Sequence, residues 1–227
     1  MPPPRRARAG HRAGQWRSAT LVPCTSRLVG AAMTTNEQYS VVAIASSAGG
    51  ITALFKVFGA LPATLPVPVL VVQHLDPRHK TVLAELLSRR TELRVKLATA
   101  GETAEAGTVY IAPPNYHLLV EPPGVLTLSG SDLVHFVRPS ADLLFESVAG
   151  AYGARAIACV LTGSGSDGAT GVSAIKSRGG TVVVQDPEEA EFKGMPGAAV
   201  ATGDADLVVP LDEIAGVIRG LVTESAT

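Results

Sequence analysis

Serine, histidine and aspartate, the residue types that together cleave esters and amides, stand in this chain where three apolar runs end. Ser47 follows the run Val41–Ala45, and His74 follows Val67–Val72 and Gln73. Asp167 lies in Thr162-Gly163-Ser164-Gly165-Ser166-Asp167-Gly168, directly after Ile157–Leu161. They can act as nucleophile, general base and orienter of the imidazole. The turn Ala45-Ser46-Ser47-Ala48-Gly49 approaches the nucleophile elbow G-x-S-x-G, with alanine in the first place. Small residues leave room for a tight strand-to-helix turn, and the helix start beyond it offers free N–H groups to an oxyanion. Taken singly, each residue has a plainer reading. A small-residue turn serves packing, a histidine closing a strand is a structural hydrogen-bonding group, and an aspartate between glycines is a turn residue. Their co-occurrence at three strand ends favours chemistry. The order Ser…His…Asp also differs from the Ser…Asp…His of α/β-hydrolases.

The elements that must position these residues follow from hydrophobic patterning. Val41–Ala45, Val67–Val72, Thr108–Ile111, Ile157–Leu161, Thr181–Val184 and Leu207–Val209 are short, β-branched and apolar on both faces, as strands buried in a parallel sheet are. Between them, Ile51–Ala60, Lys80–Arg90, Ala141–Tyr152, Ala169–Ser177 and Glu213–Leu221 read as helices. Val82, Leu83, Leu86 and Leu87 are expected on one buried face, with Ser140 and Asp212 as N-caps. Pro122-Pro123-Gly124 separates two apolar runs within Tyr116–Leu128 and reads as a hairpin turn. The fold predicted is a doubly wound, three-layer α/β/α domain with a mostly parallel sheet and a β-hairpin insertion. In such a sheet, ligands bind beyond the carboxyl ends of the strands where strand order reverses. Ser47, His74 and Asp167 all fall at that edge.

The chain has 227 residues, 46% hydrophobic and 17% charged, with a formal net charge of −1. That is enough for one sizeable core, and the balance carries no basic surplus that would suggest nucleic acid. No apolar run approaches the ~20 residues of a membrane span. Cys24 and Cys159 cannot make a disulfide framework, and Cys159 reads as a small buried hydrophobe, which fits a reducing cytoplasm. Residues 1–33 carry Arg5, Arg6, Arg8, Arg12, Arg17 and Arg27 and no acid. Residues 1–37 are therefore expected to be a disordered extension, with Met33 as a candidate start. The catalytic domain is expected over 38–222, with a tail at 223–227.

Gly163-Ser164-Gly165-Ser166-Asp167-Gly168 also matches the dinucleotide fingerprint G-x-G-x-x-G, with Asp186 near the place of a ribose-binding acid. The alternative is thus a dinucleotide-binding oxidoreductase. Against it, the Asp167 charge would face a pyrophosphate, and Ser47 and His74 would be left without a role. A metal at His74, Asp76 and His79, or using His117 or His135, lacks a ligand spacing such as H-E-x-x-H. A non-catalytic binding module would be favoured by loss of a triad residue, and none is lost. Neither cofactor nor metal is expected.

Six segments carry a further resemblance. They are Val41–Gly50, Val72-Gln73-His74, Tyr110-Ile111-Ala112-Pro113-Pro114, Arg138-Pro139-Ser140-Ala141-Asp142-Leu143-Leu144-Phe145, Leu161–Ala169 and Gly194-Met195-Pro196-Gly197-Ala198-Ala199. In this order, from about Tyr39 to Leu221, the chain resembles the catalytic domain of the chemotaxis receptor methylesterases (CheB-type). The resemblance implies hydrolysis of glutamyl methyl esters on methyl-accepting chemotaxis receptors in the cytoplasm, and in some relatives deamidation of glutamine. It implies Ser47 as nucleophile, His74 as base and Asp167 as orienter, with the backbone N–H groups of Ala48 and Ser164 as oxyanion donors. The family often has threonine at the position of Ala48 and usually methionine at that of Ser164. Met195 and Pro196 are expected at the substrate cleft. The forty or so residues before the first strand lack the pattern of a receiver domain. A stand-alone esterase is therefore expected, with a separate receiver protein as a candidate partner.

Overall fold

A computed structural model of the chain describes residues 39–75 and 81–224, so the N-terminal extension, Met33, Asp76 and His79 lie outside the described residues. The sheet has the strand order β3-β4-β2-β1-β7-β8-β9. Its strands are β1 (Val41–Ser46), β2 (Val69–Gln73), β3 (Arg94–Leu97), β4 (Thr108–Ile111), β7 (Ala156–Val160), β8 (Thr181–Gln185) and β9 (Leu207–Val209). Every pairing in it is parallel. A separate antiparallel hairpin joins β5 (His117–Glu121) to β6 (Val125–Ser129), turning at Pro122-Pro123-Gly124 as expected.

Alternation along the strands sends side chains to two cores. Val41, Ala43, Ala45, Leu70, Val72, Ala158 and Val160 point to one face. There they meet α3 (Ala141–Tyr152), α4 (Ala169–Ser177) and α5 (Gly194–Ala201), with Leu118, Val120 and Leu126 of the hairpin. Val42, Ile44, Val69, Val71, Ile157 and Cys159 point the other way, onto α1 (Gly50–Gly59), α2 (Leu83–Ser88) and α6 (Leu211–Glu224). The architecture is the three-layer, doubly wound α/β/α fold. Among the described residues no helix is long and apolar enough to cross a membrane.

From β1 the chain moves to β2, then to the edge strand β3 and back to β4 between them, before it crosses to β7 on the other side of β1 and winds outward to β9. Strand order therefore reverses between β1 and β7, the crevice where such sheets bind ligands.

Several local expectations are corrected. β3 carries Arg94 and Lys96 and pairs only with β4, so it is an edge strand whose charges hid it from hydrophobic patterning. Val82 and Leu86 are 54% and 39% exposed, while Leu83 and Leu87 are buried. The two i,i+4 pairs lie about 100° apart around the helix, and only one faces the sheet. β9 is a half-exposed edge rather than a buried strand. Ser140 stands at the N-cap of α3 without capping it. Asp212 lies inside the first turn of α6 and pairs with Lys56 at 2.9 Å.

Candidate active site

Ser47 sits one residue beyond β1. Its amide donates to Thr162 O at 3.0 Å, and its carbonyl accepts the Gly50 amide at 2.8 Å as α1 begins. Between them Gly49 takes a left-handed φ of 73°, and a Cβ there would stand 2.8 Å from Glu191 Oε2. Glycine is required by both the backbone sign and the space. The turn is braced by Gln73, the buried last residue of β2. Its Oε1 accepts Ser46 Oγ–H at 2.7 Å, and its Nε2 donates to Ser47 O and His74 O, each at 2.9 Å. The His74 amide reaches Ser46 O at 3.1 Å. One glutamine thus ties the serine turn to the histidine strand end. Thr162 adds a second tie, its Oγ1–H donating to Ala48 O at 3.1 Å.

His74 Nε2 lies 2.9 Å from Asp167 Oδ2. Asp167 is buried in the turn before α4. It also accepts the Ala141 amide (2.6 Å), the Asp142 amide (3.2 Å) and Ser140 Oγ–H (2.7 Å). It therefore does for α3 what an N-cap side chain would do, and Ser140 turns its hydroxyl to that buried carboxylate instead. Burial alone would raise the Asp167 carboxyl. The hydrogen bonds from His74, Ala141, Ser140 and Asp142 outweigh burial and hold it below the usual carboxylate range.

Ser47, Ala48, His74, Leu75 and Glu191 line one cavity of about 550 Å³. Among the described residues Ser47 Oγ makes no hydrogen bond, and the Ala48 and Ser164 amides have no acceptor. A cavity of about 600 Å³ at the far ends of α1 and α2 is lined by Arg89, Arg90 and Arg219 and holds no nucleophile. Met195 and Pro196 are buried. Met195 packs behind Gly163, where a Cβ would stand 2.2 Å from its Sδ and 2.9 Å from Ser47 Cβ. Met195 thus backs the cleft from behind Gly163.

Four residues have roles that the sequence does not announce: Gln73, Ser140, Glu191 and Asp142. Asp142 reaches across to α4, its Oδ1 accepting the amides of Gly168 at 3.0 Å and Gly171 at 2.8 Å. Its Oδ2 is buried and makes no aligned hydrogen bond, although His135 Nε2 lies 3.3 Å away. The distance without direction makes that contact electrostatic only. The one available signal was a polar residue closing an apolar strand, as Gln73 does for β2 and Gln185 for β8.

Asp142 also decides against the dinucleotide alternative. The amides that would cradle a pyrophosphate at the start of α4 are already held by its carboxylate, and Asp167 is turned to His74. The other histidines among the described residues have structural partners. The His117 ring accepts the Ser140 amide at 3.1 Å and lies 3.0 Å from Asp132 O, and His135 stands on Asp142.

Fold and site together set a serine turn beside a His–Asp pair at the switch point of a doubly wound parallel sheet. Residues 42–218 match the family described as CheB methylesterase. The chain is 42% identical over 185 residues to the protein-glutamate methylesterase/protein-glutamine glutaminase 1 of Paramagnetospirillum magneticum, covering 80% of this chain and 49% of that protein. It is 40% identical over 177 residues to a putative protein-glutamate methylesterase/protein-glutamine glutaminase of Leptospira interrogans, covering 78% of this chain and 92% of that one. The crystal structure of the Thermotoga maritima CheB methylesterase catalytic domain superposes with a TM-score of 0.78 at 38% identity, covering 81% of this chain and 99% of that domain. The chain belongs to the CheB methylesterase family. It spans about half the length of the Paramagnetospirillum relative and nearly all of the Leptospira one.

Proposed function

We propose that residues 38–222 hydrolyse glutamyl methyl esters on a methyl-accepting chemotaxis receptor, with Ser47, His74 and Asp167 as the triad. The observation that carries this reading is the His74 Nε2–Asp167 Oδ2 contact beside a cavity shared by His74 and Ser47. His74 Nδ1 takes the Ser47 proton as Oγ adds to the ester carbonyl. The amides of Ala48 and Ser164 hold the oxyanion, each such donor being worth ~10²–10³ in rate. Collapse breaks the ester C–O bond, and methanol leaves with the proton from His74. Water then gives its proton to His74 and attacks the acyl carbonyl. Ser47 departs reprotonated, leaving a glutamate carboxylate. The Ser47–His74 bond closes with the substrate in place, as often happens in enzymes whose free form holds it long.

Both cited relatives carry the name glutaminase as well as methylesterase. The same steps with ammonia as leaving group would deamidate glutamine. The place of action is the cytoplasm, where receptor signalling helices lie, and a separate receiver protein is the proposed regulatory partner. Methanol release from methylated receptor signalling domain tests the assignment. Ser47→Ala is expected to abolish release, with a fall of about 10⁴-fold or more in kcat, and to leave the fold intact. Undiminished release would overturn the assignment.

A further inference from the structure

We propose that Phe136, at the tip of the loop between β6 and α3, is the anchor by which the protein grips the ester-bearing protein. The proposal rests on the reading above that the ester is carried by a macromolecule. Phe136 is 94% exposed, the most of any large apolar side chain among the described residues. Leu133 (54%) is exposed in the same loop, and Tyr116 (47%) in the connection from β4 to β5.

The exposure is built into the loop. Val134 and Val137 exchange backbone hydrogen bonds of 3.1 and 2.9 Å around His135 and Phe136. Both central residues have positive φ, 48° and 65°. A two-residue turn of that kind favours Asn-Gly, since a side chain beyond Cβ is strained there. With Asn115 (φ 65°), they are the described chain's only non-glycine residues of positive φ. Such strain persists only where the surroundings enforce it, and it gathers at functional sites. The enforcing contacts are present. Arg138 donates to Asn115 Oδ1 from Nε (3.1 Å) and Nη2 (2.7 Å), and to Gly130 O and Ser131 O from Nη1. His117 Nε2 lies 3.0 Å from Asp132 O, and His135 is set against Asp142. A bulky aromatic is thus held outward on a braced turn where a small polar pair would fold more easily.

Position identifies the occupant. The loop runs directly into Ser140 and Ala141, which hold Asp167, and His135 beside Phe136 stands on Asp142, whose amide also donates to Asp167. A small ester would be contained in the cavity beside Ser47. Only a partner with a surface extending beyond its scissile side chain would meet Phe136. Its chemistry is an apolar groove beside the esterified glutamate, filled by one aromatic ring. Buried aromatic anchors of this kind carry a disproportionate share of interface energy.

Phe136→Asn is the informative variant, because asparagine tolerates left-handed φ better than phenylalanine and the turn survives. Hydrolysis is measured on methylated receptor signalling domain and on p-nitrophenyl acetate, with wild type alongside. The expected result is a fall in kcat/KM on the receptor of about tenfold or more, carried by KM, with p-nitrophenyl acetate turnover unchanged. An unchanged receptor rate, or equal losses on both substrates, would overturn the anchor and leave the esterase reading standing. A wild type that cleaves p-nitrophenyl acetate but releases no methanol from the receptor would overturn the substrate reading and the anchor with it. Conversion of a wild-type dimer to a monomer by Phe136→Asn in sedimentation would assign the patch to self-association and also overturn the proposal.

Discussion

His74 turns Nε2 toward Asp167, 2.9 Å from Oδ2, so Nδ1 is the ring nitrogen left for Ser47. The chymotrypsin arrangement uses the ring the other way round, with the carboxylate on Nδ1. The base atom in the proposed mechanism is the one nearer the main chain. Its position is set by contacts to the His74 main chain, whose amide donates to Ser46 O and whose carbonyl accepts the Gln73 side-chain Nε2–H.

Asp167→Asn is expected to strike activity and folding together. An amide cannot fix the Nε2–H tautomer as a carboxylate does, and the loss of kcat should be about 10⁴-fold. Two α3 amides and Ser140 also lose a charged acceptor, at a cost of about 1–3 kcal/mol. Steady-state kinetics and urea unfolding on the same preparation check both parts. A variant as stable as wild type would remove the capping role.

Gln73→Glu tests the brace. The shape is kept, but Nε2 becomes an oxygen facing Ser47 O and His74 O. The two carbonyls lose their donor and meet a repulsive atom, so stability should fall by about 1–3 kcal/mol. Turnover should fall with unchanged KM for p-nitrophenyl acetate, since the turn and strand end that hold Ser47 and His74 slacken.

The two buried carboxylates should respond to pH with opposite signs. Asp167 has a folded value below its ordinary 3.8, so the unfolded chain binds more protons between the two values. Its contribution is complete above 3.8 and is lost as pH falls through the folded value. Asp142 has a folded value above 3.8, because burial and the neighbouring Asp167 charge outweigh the Gly171, Gly168 and His135 contacts. Its contribution is complete below 3.8 and is lost as pH rises through the folded value. Wild type should therefore lose stability relative to Asp142→Asn on going from acid to neutral pH, and gain relative to Asp167→Asn as pH rises toward 3.8. Urea midpoints across that range decide it, and parallel slopes would contradict the assignment.

Gly163→Ala should force Met195 aside, since the new Cβ would lie 2.2 Å from Sδ. Overpacking of this kind costs about 1–3 kcal/mol. The Ser47 turn lies on the same contact, so p-nitrophenyl acetate hydrolysis should fall as well. Adding Met195→Ala opens the space and should restore part of the rate.

What was legible in the sequence is what is local or doubly buried. β1, β2 and β7 announce themselves because both their faces meet a helical layer. β3 does not, because its charged residues lie at an edge. Ser140 shows why cap residues mislead: its type and place suit an N-cap, yet a carboxylate from a distant turn takes that duty and redirects its hydroxyl. Asp142 reads locally as an acid complementing the α3 dipole. Its true partners are amides of α4, a relation only tertiary packing creates. Val82 and Leu86 repeat at helical spacing as well as Leu83 and Leu87 do, and nothing local says which pair meets the sheet. Ser47, His74 and Asp167 could be proposed from the sequence because each ends or follows a strong strand.

The shared carboxylate constrains how this fold can change over time. A descendant that abandons ester chemistry can exchange Ser47 or His74 at little cost to its framework. It cannot as freely exchange Asp167, whose oxygens also terminate a helix. Inactive members of such a lineage should therefore keep the aspartate after the serine and histidine have drifted, and a retained aspartate alone is no sign of a working enzyme.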